Sequence, residues 1–222
     1  MKDIPLNDEV LEILNESLWF LEDENYKSTP LQCSNQITKA DKWTNDEYFN
    51  KIKDMGKTHN GFPECCCNHS LSMPVKFSDT ATINQINKVT EIRNSFLTKI
   101  QSFYNLKRNA LWAMYPPGGF ISWHNNANAS AYNFIFTYSE TGEGFWKHWD
   151  MEKGEFVIIQ DKKGWQCKAG YFGAYVESPS KLKYHMARNT SETGMRMTIA
   201  FVLDRSDLSE GLQDWVIEDI HK

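Results

Sequence analysis

The stretch N-A-L-W-A-M-Y-P-P-G-G-F-I-S-W-H-N-N, residues 109–126, is where the chain changes its hydrophobic period. Before it, Ile86, Val89, Ile92, Phe96, Ile100 and Phe103 recur at spacings of three, three, four, four and three, which lays one apolar stripe along a helix over 82–103. After it, short β-rich runs alternate with turn residues. The runs are 110–115, 131–138, 144–149, 155–160, 165–169, 171–177, 182–187 and 195–203. Their breaks carry Pro116-Pro117-Gly118-Gly119, Thr141-Gly142, Lys153-Gly154, Lys163-Gly164, Ser178-Pro179 and Thr193-Gly194. About eight strands in ~95 residues leave no room for crossover helices, so this half reads as an antiparallel sandwich or barrel.

Toward the N-terminus, Asn7 or Asp8 can cap a helix whose apolar positions are Val10, Leu14, Leu18 and Leu21. A second short helix is expected after Thr44, where Asn45, Asp46 and Glu47 suit the positive end of a helix dipole. Segments 26–43 and 55–80 carry Pro30, Gly56, Gly61, Pro63 and Pro74 and read as irregular connections. Past Ser206, the positions Leu208, Leu212, Trp215 and Val216 predict a closing helix. The chain is thus expected to be one domain of 222 residues: helical support and loops over 1–108, a β core over 109–204 and a C-terminal helix over 205–222. The expected fold class is mainly β with α.

Composition narrows the function classes. With 41% hydrophobic and 24% charged residues the chain is neither disordered nor a disulfide-stapled miniprotein. Its 24 Lys+Arg against 29 Asp+Glu give a net charge of −5, which disfavours nucleic acid as the main partner. No apolar run approaches the ~20 residues of a membrane span, and acids within the first ten residues disfavour a signal peptide. Of five Cys, three are adjacent (Cys65-Cys66-Cys67), and Cys33 and Cys167 stand apart. That usage suits a reducing compartment, so a cytoplasmic location is expected.

A lone His in a strand is more often a hydrogen-bonded structural residue than a ligand, so His124 and His185 are weighed with their neighbours. Tyr115 and Gly118 stand nine and six positions before His124; His185 follows in the same β-rich half, and Arg196-Met197-Thr198 lies on the last run. This Tyr-x-x-Gly-x5-His element, distal His and Arg-x-Thr resemble the Fe(II)- and 2-oxoglutarate-dependent dioxygenases, and within them the prolyl 4-hydroxylase-like group. The resemblance covers roughly residues 109–204. Gly142-Glu143-Gly144-Phe145 and Lys168-Ala169-Gly170-Tyr171-Phe172 fall at further points of the family pattern. It implies a double-stranded β-helix, or jelly roll, buttressed by N-terminal helices. It implies Fe(II) held by His124, Asn126 and His185, 2-oxoglutarate held by Tyr115, Arg196 and Thr198, and dioxygen as the oxidant. The implied reaction hydroxylates a C–H bond of a protein side chain or a small molecule and releases succinate and carbon dioxide.

The chemistry fits those residue types. Two imidazoles and a third donor can occupy one face of a metal and leave the rest open. On a strand, residues 124 and 126 would share a face, as would Arg196 and Thr198, because strand side chains alternate with period two. An arginine can grip a carboxylate bidentately. Asn126 stands where the family has a carboxylate. An amide oxygen can bind Fe(II), but it is neutral and leaves the site one unit more positive. Three readings follow: an oxygenase with a weak or absent third protein ligand, an altered chemistry, or a non-catalytic jelly-roll binding module. A rival register, His148-Trp149-Asp150, lies only 37 residues before His185 (185 − 148) and lacks the upstream Tyr-x-x-Gly; the bland alternative puts it on an exposed hairpin. Cys65-Cys66-Cys67 reads as a partly buried loop with spare thiols, because ligands packed so tightly cannot all reach one tetrahedral ion. Trp123 should face away from His124 and serve packing.

Overall fold

The computed structural model describes residues 1–23, 29–72, 75–104, 106–177 and 179–203. The expected C-terminal helix, with Leu208, Leu212, Trp215 and Val216, lies outside them.

Helix α1 (Asp8–Glu16) starts where Asn7 accepts the Val10 N–H at 2.9 Å, and it buries Val10 and Leu14. The expected stripe does not continue to Leu21 in one helix. Ser17 turns its hydroxyl onto the Leu14 carbonyl at 2.6 Å, and a separate short helix α2 (Trp19–Glu22) buries Phe20 instead. Part of the segment expected to be irregular is helical, with a 3₁₀ stretch (Ser34–Lys39) running into α3 (Ala40–Thr44). Helix α4 (Asp46–Met55) begins at Asn45, whose side chain accepts the Tyr48 N–H at 2.8 Å. Helix α5 (Ile83–Tyr104) is opened by a reciprocal capping pair. The Gln85 N–H donates to Thr82 Oγ1 at 3.2 Å, and the Thr82 N–H donates to Gln85 Oε1 at 2.8 Å.

The strands are β1 (Lys2–Ile4), β2 (Cys66–Cys67), β3 (His69–Ser70), β4 (Arg108–Tyr115), β5 (Phe120–His124), β6 (Ala131–Ser139), β7 (Gly144–Asp150), β8 (Glu155–Gln160), β9 (Gly164–Phe172), β10 (His185–Asn189) and β11 (Arg196–Leu203). They form two antiparallel sheets, ordered β1-β9-β6-β11-β4-β3 and β2-β5-β10-β7-β8. From β4 to β11, successive strands switch sheets at every step except the β7–β8 hairpin. Two details differ from the sequence reading. Strand β5, buried at all five positions, shows no alternation that would flag it, and β9 runs unbroken through Gly170, where the sequence suggested two strands.

Alternation divides the first sheet into two working faces. On β11, Met197, Ile199 and Phe201 pack with Trp112, Phe136, Val10, Leu14, Phe20, Val89, Phe96 and Ile100 on the helix side. Burying each such side chain is worth roughly 1.5–3 kcal/mol, so this layer holds the sheet firmly against α1 and α5. The alternate residues Arg196, Thr198, Ala200 and Val202 face the second sheet, across a cavity between the sheets. Beyond the second sheet, Trp123 packs against Phe49 of α4 with ring centroids 5.0 Å apart and donates its indole N–H to the Thr44 carbonyl at 3.0 Å. It therefore faces away from the cavity, as expected.

Candidate active site

The cavity has a volume of about 730 Å³ and draws its wall from both sheets. His124, Asn126, His185, Tyr115, Arg196 and Thr198 all line it. They come from β4, β5, β10, β11 and the loop after β5.

His124 ends β5 and His185 opens β10, and the two are directly opposed across that strand pair, with ring centroids 4.1 Å apart. Each ring is anchored identically. His124 Nδ1 lies 2.8 Å from the Ser122 carbonyl, and His185 Nδ1 lies 2.7 Å from the Lys183 carbonyl. A carbonyl only accepts, so Nδ1 carries the proton in both rings and Nε2 keeps its lone pair. Among the described residues, neither Nε2 has a hydrogen-bond partner. Burial holds both rings neutral: it pushes His124 down to about 4, with the charge on His59 adding to it. It pushes His185 well below the usual histidine range, with His124 as the next cause. Two neutral imidazoles with inward Nε2 atoms are what a divalent transition metal takes as ligands.

The third position is held differently from the strand alternation expected. β5 stops at His124, and Asn126 sits beyond it in the left-handed region at φ +63°. Its direction is set by the loop and not by period two. The Asn125 and Asn126 N–H groups both donate to the Gly61 carbonyl, at 3.2 and 2.8 Å. Gly61, at φ +80°, lies so close to the Ala127 backbone that any side chain there would collide. Asn125, fully buried, donates to Tyr175 Oη at 2.7 Å, and that hydroxyl donates to the Gly56 carbonyl at 2.8 Å. The Asn126 side chain is thus left to the cavity wall. No set of three His, Cys, Asp or Glu among the described residues could hold a metal ion, so a metal at the histidine pair would find no anionic ligand among them.

The inner end of the cavity is a hydrogen-bonding socket. Arg196 pairs in register with Tyr115, its guanidinium 5.3 Å from the phenol ring centroid, and its Nη1 donates to Thr198 Oγ1 at 2.6 Å. Tyr115 Oη is buried with no hydrogen-bond partner, and burial pushes its pKa well up, so it is a neutral donor awaiting an acceptor. Sequence reasoning missed the residue that completes the socket. Asp161 accepts from Arg196 Nε at 2.7 Å and from Nη2 at 3.3 Å, with the two side chains only 1% and 3% exposed. Its own N–H donates to the Gly144 carbonyl at 2.9 Å, and Gln166 Nε2 approaches it at 3.3 Å. In the string Gln160-Asp161-Lys162-Lys163-Gly164 the carboxylate reads as part of a solvated turn. Its bond back to Gly144 of β7, with Arg196 and Gln166 as partners of its carboxylate, turns it inward.

His148, the rival candidate, lies directly opposite His185 on β7, and it is buried, not on an exposed hairpin tip. Burial, then Lys183, pushes its pKa down to about 4. Asp150 meanwhile accepts the Glu152 and Lys153 N–H groups at 3.0 and 3.1 Å, and so closes the turn after β7. The pair therefore does not act as one ligand set. The thiols of Cys65 and Cys66 are pushed up to about 12 and that of Cys67 to about 11, mainly by burial, so they stay protonated beside β5. All five cysteines are free thiols.

No protein-family model matches this chain, and no curated protein matches it either. Among solved structures it is similar to a prolyl-4-hydroxylase from Pseudomonas putida (10% identity, 71% of this chain and 85% of that one, TM-score 0.36). It is also similar to a viral collagen prolyl hydroxylase from Paramecium Bursaria Chlorella virus-1 in complex with 2OG (13% identity, 71% and 89%, TM-score 0.28). A third is a predicted oxalate decarboxylase from Thermotoga maritima (20% identity, 47% and 73%, TM-score 0.27). All three TM-scores lie below 0.5, and the site's chemistry rests on its own geometry. No helix among the described residues is long and apolar enough to cross a membrane.

Proposed function

We propose that the two facing sheets are a double-stranded β-helix and that the protein is an Fe(II)- and 2-oxoglutarate-dependent oxygenase, working in the cytoplasm on a small molecule or a protein side chain. The observation that carries this reading is the shared cavity: two neutral imidazoles with free Nε2 atoms, and an unsatisfied Tyr115 hydroxyl beside Arg196 and Thr198. The first pair fits a metal ion, and the second group fits a carboxylate.

In this reading His124 and His185 hold Fe(II), Asn126 offers a neutral oxygen, and Arg196, Thr198 and Tyr115 receive the far carboxylate of 2-oxoglutarate. Fe(II), 2-oxoglutarate and dioxygen together supply the oxidation of a C–H bond to an alcohol, with release of succinate and carbon dioxide. The chain's part is placement. The Ser122 and Lys183 carbonyls fix both ring tautomers, the Arg196 fork fixes the cosubstrate's direction, and Trp146 and Phe172 narrow the wall beside His185, at ring-centroid distances of 5.7 and 4.9 Å. Anaerobic titration with Fe(II) and then 2-oxoglutarate should show both binding, and aerobic incubation should yield succinate even without added substrate. Failure of either ligand to bind the folded protein sinks the proposal.

Two observations favour a second reading, a non-catalytic jelly-roll binding module. Among the described residues the site has no anionic metal ligand, and Arg196 already carries a carboxylate partner. Metal and carboxylate binding with no succinate produced would select it.

A further inference from the structure

We propose that Asp161 is a positioning residue that aims Arg196 into the cavity and limits how tightly the socket holds a carboxylate, an inference that rests on reading Arg196 as a carboxylate anchor. A guanidinium has five N–H donors in a fixed fork. Asp161 takes the Nε and Nη2 edge at 2.7 and 3.3 Å, and Thr198 takes one Nη1 hydrogen at 2.6 Å. What remains for a ligand is the end of the fork, one hydrogen each on Nη1 and Nη2, together with the Tyr115 and Thr198 hydroxyls. The direction of that end is set by Asp161, because the carboxylate grips the opposite edge.

The same contact changes the electrostatics. Arg196 and Asp161 together sum to zero charge, and among the described residues no Asp or Glu lines the cavity itself. At the socket an arriving carboxylate therefore meets donors but no net positive charge, since Arg108 stands exposed at the opposite end of β4, and it has Asp161 on the far side of the guanidinium. A like charge roughly 7 Å away, at an effective interior permittivity near 20, costs more than a factor of ten in affinity. Asp161 is built in and is no stray ion pair. A Cβ at residue 144 would press on Asp161 Oδ2 and come within 3.3 Å of Arg196 Cδ, so Gly144 leaves the space in which the pair sits.

The test is Asp161→Asn, which keeps the shape and an accepting oxygen but removes the charge. Succinate binding by calorimetry without metal is the readout, with succinamide as the neutral control. The expected result is succinate bound at least tenfold more tightly than by the wild type, succinamide unchanged, and the gain lost when Arg196→Gln is added. A purely structural salt bridge would predict the opposite sign. Equal or weaker succinate binding by folded D161N, or a gain that survives Arg196→Gln, overturns the proposal. Should D161N fail to fold, Asp161→Ala carries the same titration. A succinate gain of at least tenfold with succinamide unchanged supports the proposal, and no gain overturns it. Co(II) binding at the histidine pair, followed in parallel, separates the two ideas. Co(II) binding without the succinate gain refutes only the role of Asp161, whereas the gain without Co(II) binding refutes only the oxygenase reading.

Discussion

Replacing Gly144 by alanine tests the base of the cavity through a single methyl group. Gly144 opens β7, pairs with Asn189 of β10, and accepts the Asp161 N–H at 2.9 Å. Its added Cβ would press on Asp161 Oδ2, meet the Arg188 carbonyl at 3.0 Å and reach Arg196 Cδ at 3.3 Å. The backbone is not left-handed there, so the cost is steric and not conformational. If the strands yield, overpacking costs about 1–3 kcal/mol. If Asp161 yields instead, a buried ion pair is broken at a cost of about 3–5 kcal/mol. Removing a glycine stiffens the unfolded chain and returns about 0.4–1 kcal/mol. The Asp161 contact is the tightest of the three, so the second case governs and the balance is a loss of about 2–5 kcal/mol, or a Tm lowered by very roughly 4–20 °C for a chain of this size. Urea denaturation and calorimetry give both numbers. In an Asp161→Ala background the tightest of the three contacts is gone and only those with the Arg188 carbonyl and Arg196 Cδ remain, so Gly144→Ala should cost at least about 1 kcal/mol less there. A loss below about 1 kcal/mol, or full additivity with Asp161→Ala, would refute the packing of Asp161 against Gly144.

Three further outcomes follow from the same geometry. His124→Ala or His185→Ala should weaken Fe(II) or Co(II) binding at least 100-fold in a titration, and retention of affinity would remove the metal from this pair. Because burial holds His124 at about 4 while an unfolded histidine titrates near 6.5, the unfolded chain binds more protons between these values. Stability should thus be fully present above pH ~6.5 and fall by about 3 kcal/mol as the pH drops to ~4, and His124→Gln should flatten that slope in urea midpoints. Asn126→Asp, which tolerates the left-handed backbone equally well, should raise Fe(II) affinity at least tenfold; unchanged affinity would mean the residue 126 side chain does not reach the metal.

The β half was legible because its strands are short, punctuated by Gly and Pro, and alternate on their exposed members. Arg196 and Thr198 could be placed on one face of one strand from spacing alone, and they do share the cavity. Other features left no such trace. Asn126 could not be oriented from spacing because β5 ends two residues earlier, at a point set by hydrogen bonds to Gly61, which is remote in sequence. Asp161 sits in a string of turn-forming polar residues, and its burial depends on partners on three other strands, Gly144, Gln166 and Arg196. The break between α1 and α2 hangs on the Ser17 hydroxyl, and nothing in the apolar spacing signals it. His148 read as exposed because a His-x-Asp pair beside a Lys-Gly turn has the composition of a hairpin tip, yet its strand lies in the interior of the second sheet.

The helical half takes part in the site through this same alternation. Met197 stands between Arg196 and Thr198 and faces the helices, where its sulfur accepts the Trp112 indole N–H at 3.3 Å and the Ser17 hydroxyl approaches at 3.8 Å. Ile199 and Phe201 continue that face into the cluster with Val10, Phe20, Phe96 and Ile100. A slip of β11 by one residue would put Arg196 and Thr198 into this apolar layer and Met197 into the socket. Burying an unpaired arginine there would cost several kcal/mol, so the packing of α1, α2 and α5 locks the register that presents Arg196 to Asp161 and Tyr115. The first half of the chain contributes no residue to the imidazole pair or to the socket, yet it determines which face of β11 those residues can use.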